Sequence, residues 1–96
     1  METISIQDVE KANDNHGKHW FDTGAKRFFR SHYAQTATKV GDKAYFVSSE
    51  QYSARSQRYY SVRVCDLTTG DITTVGEFQQ YHTSAQAQAA IRRLAS

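Results

Sequence analysis

The polar and apolar positions change period twice along the chain. In Ile4 to Ala12 the apolar residues Ile6, Val9 and Ala12 fall three apart, and Ser5 stands three residues ahead of Asp8, so the spacing predicts a short capped helix. Asn13 to His19 is rich in turn formers and contains Gly17, which suits a left-handed turn, so it reads as a loop. Asp22 and Thr23 are good N-caps, and Ala25, Phe28 and Phe29 share a stripe, predicting a second helix over Thr23 to His32 with Trp20 and Phe21 folded back before it. On this reading both phenylalanines belong to the core, and Lys26, Arg27 and Arg30 face outward.

After Tyr33 the period becomes two. Val40, Gly41 and Asp42 lead from one strand into another at Lys43 to Ser49. In "RYYSVRVCDL" the residues Tyr60, Val62 and Val64 take one face, and Tyr59, Ser61, Arg63 and Cys65 take the other. "TTGD" is a turn, and "ITTVGEFQQY" reads as a strand carrying a bulge or close approach at Gly76. The chain ends with a capping box, Thr83 and Gln86, ahead of Ala87, Ala90, Ile91 and Leu94 on one helical face. The pattern predicts an α+β domain: an antiparallel meander of three to four strands, with N-terminal helices and a C-terminal helix packed on one face.

Composition narrows this little but excludes a good deal. The 96 residues make a single domain over 1–96, with residues 1–18 a flexible or short helical arm. With 39% hydrophobic and 12% aromatic residues, the chain has enough bulky side chains for a compact core. One cysteine, Cys65, forms no internal bridge, which points to a reducing, cytoplasmic setting. No run approaches the roughly 18 apolar residues a membrane span needs, so no membrane role is expected.

Charge distribution says more than the formal net of +2. Glu2, Asp8, Glu10 and Asp14 crowd the beginning, while the arginines are spread through the remainder. His16, His19 and His32, with Asp22 nearby, lack the paired spacing of a metal site, and no metal or cofactor is expected. Cys65 has no neighbouring cation or histidine to activate it, and a lone strand thiol is ordinarily a small buried hydrophobe. There is no phosphate-cradling glycine loop, and no catalytic residue is expected.

Aromatics interleaved with cations are the one pattern that points to a partner. Tyr52, Arg55, Arg58, Tyr59, Tyr60 and Arg63 cluster about one hairpin, and tyrosine and arginine anchor both protein interfaces and single-stranded nucleic-acid grooves. The expected binding residues are therefore Tyr52, Arg55, Arg58, Tyr59 and Arg63, with Lys26, Arg27 and Arg30 on the preceding helix.

The succession "HWFDTGAKRFF", "YFVSSE", "YYSVR" and "TVGEFQQY" resembles a family of small uncharacterised proteins encoded by bacteriophages and other bacterial mobile elements, over about His19 to Ala89. The resemblance implies a non-enzymatic protein that binds host machinery, such as an inhibitor of CRISPR or restriction systems. Its partner would be a host protein or ribonucleoprotein complex. The alternative is an accessory protein that binds nucleic acid through the basic and aromatic surface, with Arg92 and Arg93 contributing.

Overall fold

The computed structural model describes residues 2–96. Six strands form one antiparallel sheet: β1 (Glu2–Ser5), β2 (His32–Tyr33), β3 (Thr36–Val40), β4 (Lys43–Glu50), β5 (Tyr59–Asp66) and β6 (Ile72–Val75). The lateral order is β1-β3-β4-β5-β6, and β2 pairs with β4 beyond the end of β3. β2 and β3 are two pieces of one interrupted strand, since Ala34 between them still donates its N–H to the Val47 carbonyl at 2.9 Å. Among the described residues there are also three helices, α1 (Ile6–Asn15), α2 (Gly24–Phe28) and α3 (Ser84–Ala95), with a 3-10 turn at Trp20–Asp22 ahead of α2. The α+β class is as expected; the sheet has more than the three to four strands expected.

The helices cover both faces of the sheet, where one face was expected. Strand side chains alternate between faces, so Ala44 and Phe46 of β4 join Cys65 of β5 and Ala37 of β3 beneath Val9 of α1 on the first face. Val47 and Val62 meet Ala87, Ala90 and Ile91 of α3 on the second. Apolar strand residues point to both faces, so one helical layer would leave about half of them in water. A second layer removes that penalty.

Residues 2–15 form an edge strand followed by a short packed helix. β1 pairs with β3 in the register Ile4 opposite Ala37, and Val9 is fully buried. Ser5 caps α1 by accepting a hydrogen bond from the Asp8 N–H at 3.2 Å. Asn13, also fully buried, ties the following loop down: its amide donates to the Gly70 carbonyl at 2.7 Å, and its carbonyl oxygen accepts from the Trp20 N–H at 2.7 Å.

Two further elements are shorter than their patterns suggest. α2 ends at Phe28 instead of reaching His32, because Arg30 adopts a left-handed conformation with φ of 50° and the Ser31 N–H turns back to the Lys26 carbonyl at 2.8 Å. β6 stops at Val75, where Gly76 has φ of 75° and a Cβ would collide with the Gln80 side-chain oxygen. Residues Gly76 to Gln80 instead form a loop across the first face. At the C-terminal end Thr83 caps α3 through the Gln86 N–H at 3.1 Å. Among the described residues, no helix is long and apolar enough to cross a membrane.

Candidate functional site

β4 and β5 pair with Phe46 opposite Arg63, Ser48 opposite Ser61, and Glu50 opposite Tyr59. Every second residue of each strand looks to the first face, so the apolar row Ala44, Phe46 continues as Ser48, Glu50, and the row beginning at Cys65 continues as Arg63, Ser61. The sheet face is thus apolar under α1 and polar at its other end. There Arg63 and Glu50 form an ion pair at 3.3 Å with side-chain exposures of 7% and 2%. Arg63 Nε donates to Ser48 Oγ at 2.9 Å, its Nη1 donates to Thr74 Oγ1, and Ser61 Oγ donates to Glu50 Oε1 at 2.9 Å. The backbone N–H of Gln79 closes the loop over this cluster by donating to Ser61 Oγ at 2.8 Å. A buried pair needs such additional bonds to offset the loss of hydration, and here the polar groups are supplied from three strands.

Arg63 is also the middle of a line of rings and cations. Its guanidinium carbon lies 5.3 Å from the Trp20 ring centre and 5.2 Å from that of Phe78. Lys26 Nζ sits 3.6 Å from the Trp20 ring centre on one side. On the other, Phe78 meets Phe29 at 5.5 Å, Phe29 meets Phe28 at 5.0 Å, and Phe28 meets Tyr52 at 5.9 Å, all edge to face. The line runs from the interior to solvent: Phe78 is 43% exposed, Phe28 59% and Tyr52 66%. These are large apolar rings gathered in one place, whereas scattered exposed apolar residues are ordinary on a protein surface.

The expected binding residues divide accordingly. Tyr52 and Arg55 are exposed, as are Arg27 and Arg30. Among the described residues, Arg27, Arg30 and Arg55 enter no ion pair. Arg58 is half-buried and engaged, donating to the Arg30 carbonyl and to Ser49 Oγ, each at 3.0 Å. It holds the hairpin loop against the end of α2. Tyr59 packs edge to face on His82 at 5.3 Å. Two expectations are overturned. Arg63 is interior, because its strand parity matches Cys65 and the covered face. Lys26 does not face outward but lies half-buried over Trp20. Of the two phenylalanines expected in the core, Phe29 is half-buried, whereas Phe28, the last residue of the short α2, projects into solvent because the phase of that single turn points it away from the sheet.

The chain belongs to the family of unknown function DUF7447. The family model matches residues 5–92, which takes in α1, all the central strands, the ring-and-cation line and most of α3. No curated protein and no solved structure matches this DUF7447 member.

Beside α2 lies a polar cleft of about 390 Å3, lined by Phe21, Asp22, Lys26, Arg27, Ser31 and Tyr33 among others. The Lys26 ammonium is pushed down to about 8, chiefly by desolvation and then by the positive charge of Arg63, with Glu50 opposing. Burial raises the Tyr33 phenol. The Ser31 and Tyr33 hydroxyls are neighbours, close enough for Ser31 to oppose that rise, yet neither oxygen has a hydrogen-bond partner at bonding distance. A buried hydroxyl without a partner costs about 1–3 kcal/mol, so two in one cleft are notable.

Elsewhere the chemistry is muted. Cys65 is fully buried and its thiol is pushed up to about 11, mainly by desolvation, so it stays protonated at neutral pH. His19 gathers with Asp14 and Asp22, 3.4 Å and 3.9 Å away, in an exposed group at the end of α1. His16 Nδ1 bonds the Ala12 carbonyl at 2.8 Å. Sequence spacing missed Trp20, Phe29, Phe78, Glu50 and the two serines as parts of the site. The parity of Ser48 and Glu50 with Phe46 was the available signal: polar residues continuing a covered row must find partners there.

Proposed function

We propose that this is a small non-enzymatic binding protein that acts by occluding a protein or nucleoprotein partner. The observation that carries the reading is the solvent end of the ring line, Phe28, Tyr52 and Phe78, in a chain whose Arg27, Arg30 and Arg55 are exposed and enter no ion pair among the described residues. Aromatic anchors on a chain with free, exposed arginines suit a partner surface that is apolar where the rings dock and carries acidic groups. The buried Arg63–Glu50 cluster serves this face from behind by holding one guanidinium close to both Phe78 and Trp20. In keeping with the resemblance to phage and mobile-element proteins, the finer proposal is an inhibitor of host defence, of the anti-CRISPR or anti-restriction kind. A protein of this size blocks a larger machine most simply by covering a site on it.

The second reading is an accessory protein that binds nucleic acid. Alternating rings and cations favour it, since bases stack on exposed aromatics while cations track phosphates. Against it, Arg58 and Arg63 are spent on internal bonds, which takes two of the hairpin's cations away from a phosphate backbone. A photo-crosslinker placed at Tyr52, used in host lysate, separates the two. The first reading expects a protein crosslinked by the wild type but not by a Phe28→Ala variant of unchanged melting temperature. It expects the purified pair to bind with a shallow dependence on salt. Direct binding of single-stranded oligonucleotides with a steep salt dependence would establish the second instead.

A further inference from the structure

The cleft beside α2 differs in kind from the aromatic face. Its lining gathers two cations and two hydroxyls, with one carboxylate, Asp22, and what Lys26 lacks is an ion-pair partner. Lys26 enters no ion pair among the described residues. The charged and titratable groups about it come from several elements. Arg63 of β5 and Glu50 of β4 lie behind it and neutralise one another. Asp22 stands at the entrance, drawn toward His19 at 3.9 Å, and Arg27 follows on α2. Tyr33 of β2 lines the cleft, with Glu10 of α1 near enough to act on its phenol. Lys26 is therefore an ammonium beside a second cation, over a ring, with no carboxylate of its own.

The hydroxyls add an independent observation. Ser31 Oγ and Tyr33 Oη are buried and unpartnered, and both residues line this cleft. Each hydroxyl carries one hydrogen, so even if the two turned to one another, one O–H would still have no acceptor. A lysine and two hydroxyl donors around a cavity of about 390 Å3 form a receptor for negatively charged oxygen. We propose that the cleft binds one oxyanion group, a carboxylate or a phosphate, held by the Lys26 ammonium together with the Ser31 and Tyr33 hydroxyls. Such a group supplies acceptors to both hydroxyls and offsets the repulsion between Lys26 and Arg63. The carrier is either a free anion or an acidic side chain of a larger partner. The site does not depend on the aromatic face.

Trp20 is the sole tryptophan, and Lys26 lies on its ring, so its emission reports directly on the cleft. The full chain is titrated with phosphate, acetate and hexaglutamate at constant ionic strength, with calorimetry alongside as a readout independent of the ring. The expected result is saturable binding that weakens as pH rises through about 8, where Lys26 loses its proton. Lys26→Ala weakens it by about tenfold or more, the effect of removing one charged hydrogen-bond donor. Lys26→Arg restores most of it, and Ser31→Ala and Tyr33→Phe each reduce it. Tightest binding of phosphate identifies a free tetrahedral anion, and preference for hexaglutamate over acetate identifies an acidic segment of a macromolecule. Absence of saturation with all three probes, or binding that neither pH nor Lys26→Ala alters, overturns the proposal.

Discussion

Glu50 and Arg63 form their ion pair along the sheet rather than across it. Arg63 lies opposite Phe46, four residues before Glu50 on β4, a span of roughly 13 Å of strand. The two side chains reach toward each other over the Ser48–Ser61 pair, whose hydroxyls bond one to each. Removing either charge strands the other in a nearly solvent-free place. Glu50→Ala is therefore expected to lower stability by about 3–5 kcal/mol in urea unfolding. A loss below about 1 kcal/mol would mean that water reaches the pair.

Phe28 and Phe46 are the same residue type in opposite environments. Phe46 is fully buried, and Phe46→Ala should cost about 3–5 kcal/mol. Phe28 is mostly in solvent and meets the rings of Phe29 and Tyr52 edge to face, so Phe28→Ala should cost less than about 1 kcal/mol. Thermal unfolding of the two variants side by side decides the matter, and equal losses would place Phe28 in the core.

Asn13 holds two distant segments at once, and its loss should be felt at both. Asn13→Ala leaves the Trp20 N–H and the Gly70 carbonyl without their partner, a cost of about 2 kcal/mol or more in denaturant unfolding. Gly70 itself has φ of 79°, and an added Cβ would come within 2.6 Å of His16 Cβ. Gly70→Ala should thus destabilise in its own right, through strain and collision together. A Gly70→Ala protein as stable as the wild type would show that α1 shifts freely at this point.

Lys26 should give the stability curve a feature in mild alkali. Its ammonium is pushed down to about 8 in the fold, from 10.5 when unfolded. Above about pH 8 the unfolded chain therefore binds more protons at this group, and stability rises with pH. Cys65 acts in the other sense: held protonated up to about 11 against 9 when unfolded, it lowers stability as pH rises past 9. The rise is thus confined to pH of about 8 to 9, and Lys26→Met should remove it. Unfolding midpoints at half-unit pH steps test this; an unchanged slope in Lys26→Met would assign the rise to another group.

Much of the local structure was legible because short-range rules govern it. Ser5 and Thr83 act as caps, since a cap needs only a side-chain oxygen and an amide three residues on. The turn at Gly41 and Asp42 and the alternation of β5 follow from backbone freedom and from the two-residue period. The edge strand β1 was not legible, because four residues with no repeated pattern become a strand only by pairing with β3. The site was legible as a residue class, aromatic plus cation, and illegible as a placement. Arg63 and Phe28 exchanged the positions their chemistry suggests, one drawn inward by strand parity and the other left outside by the phase of a short helix.

The amino-acid sequence alone determined the α+β class, the hairpin in the middle, the capped helices at either end and a thiol with nothing to activate it. Those are properties of neighbours a few residues apart, where sterics and hydrogen-bond reach act without knowledge of the rest of the chain. Tertiary structure alone decided that the sheet is covered on both faces, that a charge pair lies inside it, and that Lys26 looks into a cleft without an ion-pair partner among the described residues. Each depends on which distant segments come to share one volume, and that is settled by the competing demands of burial and of satisfying every polar group taken out of water.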